Sequence, residues 1–373
     1  MNKRTTSALA LCLSAMILAG CGGGNSQASN NPPPDPTLVP VILPGPIPLN
    51  SPAVPTGHAY AMSLAIPPRK QWNTNYGYCG EVSFISAGLY FGQYVSQYAA
   101  RTAATPGVSQ SDSNSQLLVS VNDLGAAATM HLNAAEWNWQ SKTATTSQFL
   151  AWVKGYVVTG YPVIIGIYVN KHSGTSAGFS AYDHIVPVTG IASNHPLVRG
   201  LEQTYYADDS LQFGNNGGLS FQYDFGPFAM TRVQANDPLG PPFALALHVD
   251  ANTPNAAVAI TGVIDRDKET VPVRLATNLS DESTAISNGS NTAPAATPLT
   301  LTATVYGLTA GVKYNVYQYN SLATIPDSAF NANASAAYQR FTFTATEATH
   351  VLPAIDILSN QVAAFRAVPV SAH

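Results

Sequence analysis

A cysteine that ends a polar, glycine-containing approach and opens an apolar helical stretch suits thiol chemistry. Gln71-Trp-Asn-Thr-Asn-Tyr-Gly-Tyr-Cys79-Gly-Glu-Val-Ser-Phe-Ile-Ser has that form. The thiolate is the nucleophile, and a helix N-terminus favours it through partial positive charge and unpaired N–H groups. Gly80 would let the backbone approach a substrate carbonyl with no Cβ in the way. The competing reading of Cys79 is a buried, inert thiol, since free cysteine is among the most buried residue types.

A thiol nucleophile needs a base, a group that orients the base, and donors for the oxyanion. Of eight histidines, His184 is the base candidate, because it stands near the start of the apolar strand Tyr182-Asp-His-Ile-Val-Pro-Val-Thr-Gly-Ile191. His131 and His248 lie in apolar segments and read as core, while His58, His172, His195 and His373 read as loop or terminal residues. Asp208 and Asp209 end the expected strand from Thr204, and adjacent residues face opposite ways, so only one of them can orient the histidine. Both also fit solvated turn positions. Asp183 should face away from His184, and Asn236 and Asp237 are more distant options. The Cys79 N–H is one natural oxyanion donor and Gln71 the expected side-chain donor, with Asn73 and Asn75 competing for that role.

The elements that must carry these groups follow from spacing. Glu81 to about Arg101 reads as one helix, apolar on most sides and therefore central and buried. A second short helix is expected around Asp123–His131. A third runs from Thr145 to Val158, capped by Thr145 or Thr146 and stopped by Gly160. Pro162–Val169, Tyr182–Ile191 and Thr204–Ser210 read as successive antiparallel strands. The expected fold class is α+β, a central helix packed on an antiparallel sheet. Beyond Asn236-Asp-Pro-Leu-Gly-Pro-Pro, short alternating segments between turn residues read as a β-sandwich domain with no catalytic residues.

Composition narrows the setting. Charged residues are 10% of 373, and the net charge is −4. Without runs of Lys or Arg there is no electrostatic footprint for nucleic acid. Lys3 and Arg4, the apolar stretch Ala8–Ala19 and the small residues after it read as a secretory signal peptide. Its end, Leu18-Ala-Gly-Cys21, resembles the bacterial lipobox, in which the cysteine is lipidated and becomes the first mature residue. With Cys12 removed and Cys21 lipidated, Cys79 would be the mature chain's one thiol. Gly22 to about Pro55 then reads as a Gly/Ser- and Pro-rich tether. The expected division is 1–20 signal peptide, 21–57 tether, 58–250 catalytic domain and 251–373 accessory domain. The setting is the cell envelope, facing periplasm or exterior.

The order Gln71…Cys79-Gly80…Gly160-Tyr-Pro-Val-Ile-Ile…His184-Ile-Val-Pro-Val-Thr-Gly-Ile…Tyr205-Tyr-Ala-Asp-Asp-Ser resembles the papain-like cysteine peptidases, in particular the bacteriocin-processing, double-glycine-leader peptidases. By position the resemblance implies Cys79 as nucleophile, His184 as base, Asp209 as orienter and Gln71 as oxyanion donor. This chain departs from the pattern: Tyr78 stands where Asp is usual, Glu81 where Pro is common, and Gln71 is two positions further from the cysteine. The implied partner is a peptide or protein substrate. No metal or cofactor is implied, and no Cys-x-x-Cys or His-Glu-x-x-His motif occurs. A surface-binding protein that has lost catalysis, and a cell-wall amidase or acyl transferase, are the alternative functions.

Overall fold

The computed structural model describes residues 57–67, 69, 71–72, 75–138, 145–169, 182–199, 203–205, 208–215, 219–224, 243–245, 255–277, 291–293 and 295–370. Cys21 and the tether lie outside them, as do Asn73, His172, Asn236, Asp237, His248 and His373. The protein is mixed α+β with antiparallel sheets and few helices.

Strand β1 (Tyr60–Ser63) precedes α1 (Cys79–Tyr90), β2 (Gln93–Tyr94) and α2 (Gln97–Ala104). Next come α3 (Asp123–Thr129), β3 (Leu132–Glu136) and α4 (Thr146–Thr159). Strands β4 (Val163–Val169), β5 (Tyr182–Ser193), β6 (Ser210–Asn215), β7 (Leu219–Asp224), β8 (Phe243–Leu245) and β9 (Ala257–Val263) follow. With β1 and β3 they form one sheet in the order β3-β9-β4-β5-β6-β7, in which β1 also pairs with β5 and β8 with β4. A second sheet joins β10 (Val273–Thr277), β11 (Pro298–Tyr306), β14 (Thr349–Val351) and β15 (Ile355–Leu358). A third has the order β13 (Gln339–Thr344), β12 (Lys313–Tyr319), β16 (Ala363–Pro369), β2.

The eight-stranded sheet separates two cores, as alternation along its strands requires. Ile164, Ile185, Val258 and Ile260 join the core that contains Phe84, Ile85 and Leu89 of α1. Val163, Ile165, Ile167, Val186 and Val188 join Phe149, Leu150, Val153 and Val157 of α4. Helix α1 is buried from Gly80 to Tyr90, as its all-round apolar sequence predicts. Helix α4 starts on a Thr145–Gln148 capping box and stops at Gly160, whose φ of 95° is left-handed.

Three expectations need correction. The helix expected from Glu81 to Arg101 is two, because Gly92 takes φ +74° against Val273. A Cβ there would stand 2.8 Å from the Val273 Cβ. The chain then pairs 93–94 with β16 before α2 begins at its Ser96 cap. The strand expected at Thr204–Ser210 lies further on, at Ser210–Asn215. The boundary expected after residue 250 does not part the strands either. β9 lies between β3 and β4, and β2 is an edge of the third sheet, so strands from both sides of that boundary share sheets.

Candidate functional site

Cys79 is the first residue of α1 and is half-buried. No side chain caps this helix, so its first N–H groups are open to the thiol. Burial and then the Glu81 carboxylate push the thiol up to about 11, while backbone contacts from Ile185, Gly80 and Cys79 itself pull it back. Contacts that favour the thiolate are N–H donors. The sulfur is therefore cradled by the helix start on one side and the 184–185 peptide on the other. Ser83 Oγ bridges this junction, its one proton shared between the Cys79 carbonyl at 2.8 Å and the Ile185 carbonyl at 3.2 Å.

His184 is buried and is the third residue of β5. The thiol thus lies on the peptide that links His184 to Ile185. By alternation, however, His184 shares the register of Val186, and its cross-strand partner is Ile167; both belong to the α4 side of the sheet. Ile185 faces the α1 side.

Neither aspartate orients His184, which corrects the assignment by resemblance. Ser210 pairs with Ala192, so Asp209 stands at the far end of β5, eight residues from His184. At about 3.3 Å per residue that is roughly 26 Å. Asp209 is fully buried and receives Lys154 Nζ at 2.9 and 3.1 Å and the Tyr205 N–H at 2.9 Å. Asp208 accepts from Asn194 and pairs with His195 Nε2 at 3.1 Å, and His195 stacks on Tyr205. The end of β6 that runs toward His184 is Asn215: Phe213 pairs with Val188, and Gly214 packs beside Pro187.

Gln71 lies beside the turn that leads into Cys79. A Cβ on Gly77 would stand 3.0 Å from Gln71 Nε2. Asn75, Tyr76 and Gly77 form a run of three left-handed residues, with φ of 46°, 66° and 87°. A left-handed conformation costs an L-residue about 1–2 kcal/mol, so other contacts must hold this turn. Gly80 has a different role from the one its sequence suggested. A Cβ there would lie 1.9 Å from the Leu117 carbonyl oxygen, so the absent side chain admits the 117 backbone rather than a substrate.

The residues that spacing alone did not single out are Arg101 and Glu81. Arg101 is fully buried on α2. Its Nε donates to Glu81 Oε1 at 2.6 Å, and its Nη1 to the carbonyls of Asn75 at 2.9 Å and Gln110 at 3.1 Å. Its Nη2 donates to the Gly77 carbonyl, and the guanidinium lies 3.5 Å from the Tyr78 ring centre. Glu81 Oε1 also accepts from the Leu117 N–H at 3.1 Å. Burial pushes the Glu81 carboxyl above its ordinary range, and Arg101 opposes this. One turn earlier on α2, Gln97 accepts from the Trp72 N–H at 3.0 Å. The Tyr78 hydroxyl donates to Gln110 Oε1 at 3.0 Å, and its ring meets Trp72 edge-on. A charged residue two positions after the cysteine, in a chain with so few charges, was the available signal.

Among the described residues, no group of three His, Cys, Asp or Glu could hold a metal ion, and no helix is long and apolar enough to cross a membrane. Compared with known proteins, the chain matches no family model, no curated protein and no solved structure.

Proposed function

We propose that the protein is an exported, lipid-anchored thiol hydrolase of papain-like type with a C-terminal β-sandwich, acting on a peptide or isopeptide bond in the cell envelope. The observation that carries this reading is the cradle at Cys79: a thiol on an uncapped helix start, in contact with the peptide that follows His184. The proposed reaction requires the His184 ring to reach Cys79 around the start of β5, from the register of the opposite face; there it takes the thiol proton as sulfur attacks the carbonyl carbon. The oxyanion is held by the Cys79 N–H and the Gln71 amide. The imidazolium returns the proton to the leaving amine, and water activated by the same histidine cleaves the thioester. Asp208 and Asp209 have no part in this scheme. A cell-wall amidase or acyl transferase would use the same groups.

A second reading has its own support. The thiol is pushed up, both aspartates are held elsewhere, and His184 falls in the register of the α4 side. These features suit a surface-binding protein that keeps the scaffold without the reaction. The deciding measurement is the rate of Cys79 alkylation by iodoacetamide against pH, in the intact protein and in His184→Ala. A hydrolase shows a histidine-dependent limb below pH 8, slowed at least roughly tenfold in the variant, as expected for a lost general base. Coincident profiles, both rising only above about pH 8 as for an unactivated thiol, end the hydrolase reading and leave the binder.

A further inference from the structure

The Asn75–Tyr78 turn is left-handed, sits immediately before the thiol, and is built of carbonyls drawn inward. Arg101 takes the carbonyls of Asn75 and Gly77, and Gln116 Nε2 reaches the Tyr76 carbonyl at 3.4 Å. In a trans peptide the N–H points opposite to its C=O. The N–H groups of Tyr76 and Tyr78 therefore face away from Arg101. Beyond the cysteine, the same guanidinium grips Glu81 in the first turn of α1 and, through Glu81 Oε1, the Leu117 N–H. Four of its five N–H donors are engaged. Gln110, its other carbonyl partner, also binds the Tyr78 hydroxyl. Cys79 is thus held from both neighbouring sides by one side chain that does not touch it.

We propose that Arg101 is a positioning residue for Cys79: it fixes the left-handed approach loop and the first helical turn as one unit, and neutralises the carboxylate nearest the sulfur. This inference rests on the thiol-hydrolase reading for its consequence in catalysis, while the positioning itself is independent of that reading. A lysine cannot replace the arginine, because its single ammonium cannot reach two carbonyls, a carboxylate and the Tyr78 face together. The charged groups nearest the thiol turn are Glu81 on α1 and Arg101 on α2, while His184 on β5 follows the register of the opposite face of the sheet. Glu81 is the charge that disfavours the thiolate.

The test uses the full chain and three variants, Arg101→Lys, Glu81→Gln and His184→Ala, with Cys79 alkylation measured from pH 6 to 11. A second readout is the rate of chymotryptic cleavage at Tyr76, an exposed aromatic in the clamped turn. Arg101→Lys, where it melts cooperatively, should raise cleavage at Tyr76 at least tenfold and shift the alkylation midpoint. Glu81→Gln keeps acceptors for Arg101 and Leu117, so cleavage should stay unchanged while alkylation at pH 9 quickens about threefold or more. If folded Arg101→Lys keeps both wild-type cleavage and the wild-type profile, the proposal is overturned. Should Arg101→Lys fail to fold, a fourth variant decides: Glu81→Ala removes the grip of Arg101 on the first turn of α1, and wild-type cleavage at Tyr76 in that variant overturns the proposal. His184→Ala separates the two claims, since its coincidence with wild type ends the hydrolase reading and leaves the Arg101 result standing.

Discussion

Replacing Asp209 by alanine should unfold the protein more readily and leave Cys79 alone. The carboxylate is fully buried and meets Lys154, itself 2% exposed, at 2.9 and 3.1 Å. It also takes the Tyr205 N–H at 2.9 Å, and Lys154 Nζ holds the Gln203 carbonyl at 2.9 Å. Removing the anion leaves a buried ammonium with one carbonyl and the Tyr205 ring, 5.1 Å away, as its remaining partners. Stripping one partner from a buried pair costs about 3–5 kcal/mol. For a unit of this size that lowers the melting temperature by on the order of 10 °C. Substituting both, as in Lys154→Met with Asp209→Leu, should recover most of the loss, because the pair itself contributes little beyond what apolar packing would supply. The assay is calorimetric melting of the three proteins beside Cys79 alkylation at fixed pH. A triad aspartate behaves the other way. If Asp209→Ala keeps its melting temperature and loses histidine-dependent thiol reactivity, the β5–β6 register described above is wrong.

Further outcomes follow from single positions. Asp123 is pushed up to about 6 from 3.8, by burial first. An acid whose folded pKa is raised stabilises the fold only while protonated there. Its contribution is complete below about pH 4 and lost as pH rises through 6, by at most about 3 kcal/mol. Chemical denaturation at pH 4.5 and 7.5 should show this slope flattened in Asp123→Asn, and an identical slope in both proteins would refute it. Gly80→Ala puts a methyl group 1.9 Å from the Leu117 carbonyl oxygen. It should cost more than the roughly 1–3 kcal/mol of ordinary overpacking, and a melting temperature within two degrees of wild type would count against the close approach. Gly77→Ala combines φ +87° with a 3.0 Å contact to Gln71 Nε2. It should destabilise by about 1–2 kcal/mol and slow any Gln71-assisted turnover.

The sequence carried the pieces that local physics determines. Apolar residues all round Val82–Leu89 meant a buried helix, and Thr145, Gln148 and Gly160 marked the ends of α4, because caps act within a turn. Elements were misplaced where distant contacts decide. Gly92 breaks the expected long helix only because Val273, 181 positions later, packs against it, and the strand near Asp208 was set six residues early because Ser210 takes its place from Ala192. Thr204-Tyr-Tyr offers two strand-favouring aromatics, while Ser210-Leu-Gln-Phe213 carries the cleaner polar–apolar alternation, so aromatic content favoured the wrong strand and drew Asp209 into the site with it. Cysteine and its helix start were legible from their neighbours alone. The arginine was not, since nothing in Tyr98-Ala-Ala-Arg101 announces carbonyl partners at 75, 77 and 110.

That asymmetry follows from the chain's low charge. With 10% charged residues, a buried ion pair is a costly exception that persists only with near-complete hydrogen bonding. Two such exceptions occur among the described residues with both partners at most 2% exposed, Arg101–Glu81 and Lys154–Asp209. They do different things. Lys154 and Asp209 tie α4 to the segment leading into β6, roughly 26 Å along β5 from His184. Arg101 and Glu81 tie α2 to the two turns that flank the thiol. A family pattern transfers residue identities and not partners. Asp209 has the expected identity, but Lys154 already holds it, whereas Glu81, which breaks the pattern, is the acid that meets Arg101 beside Cys79.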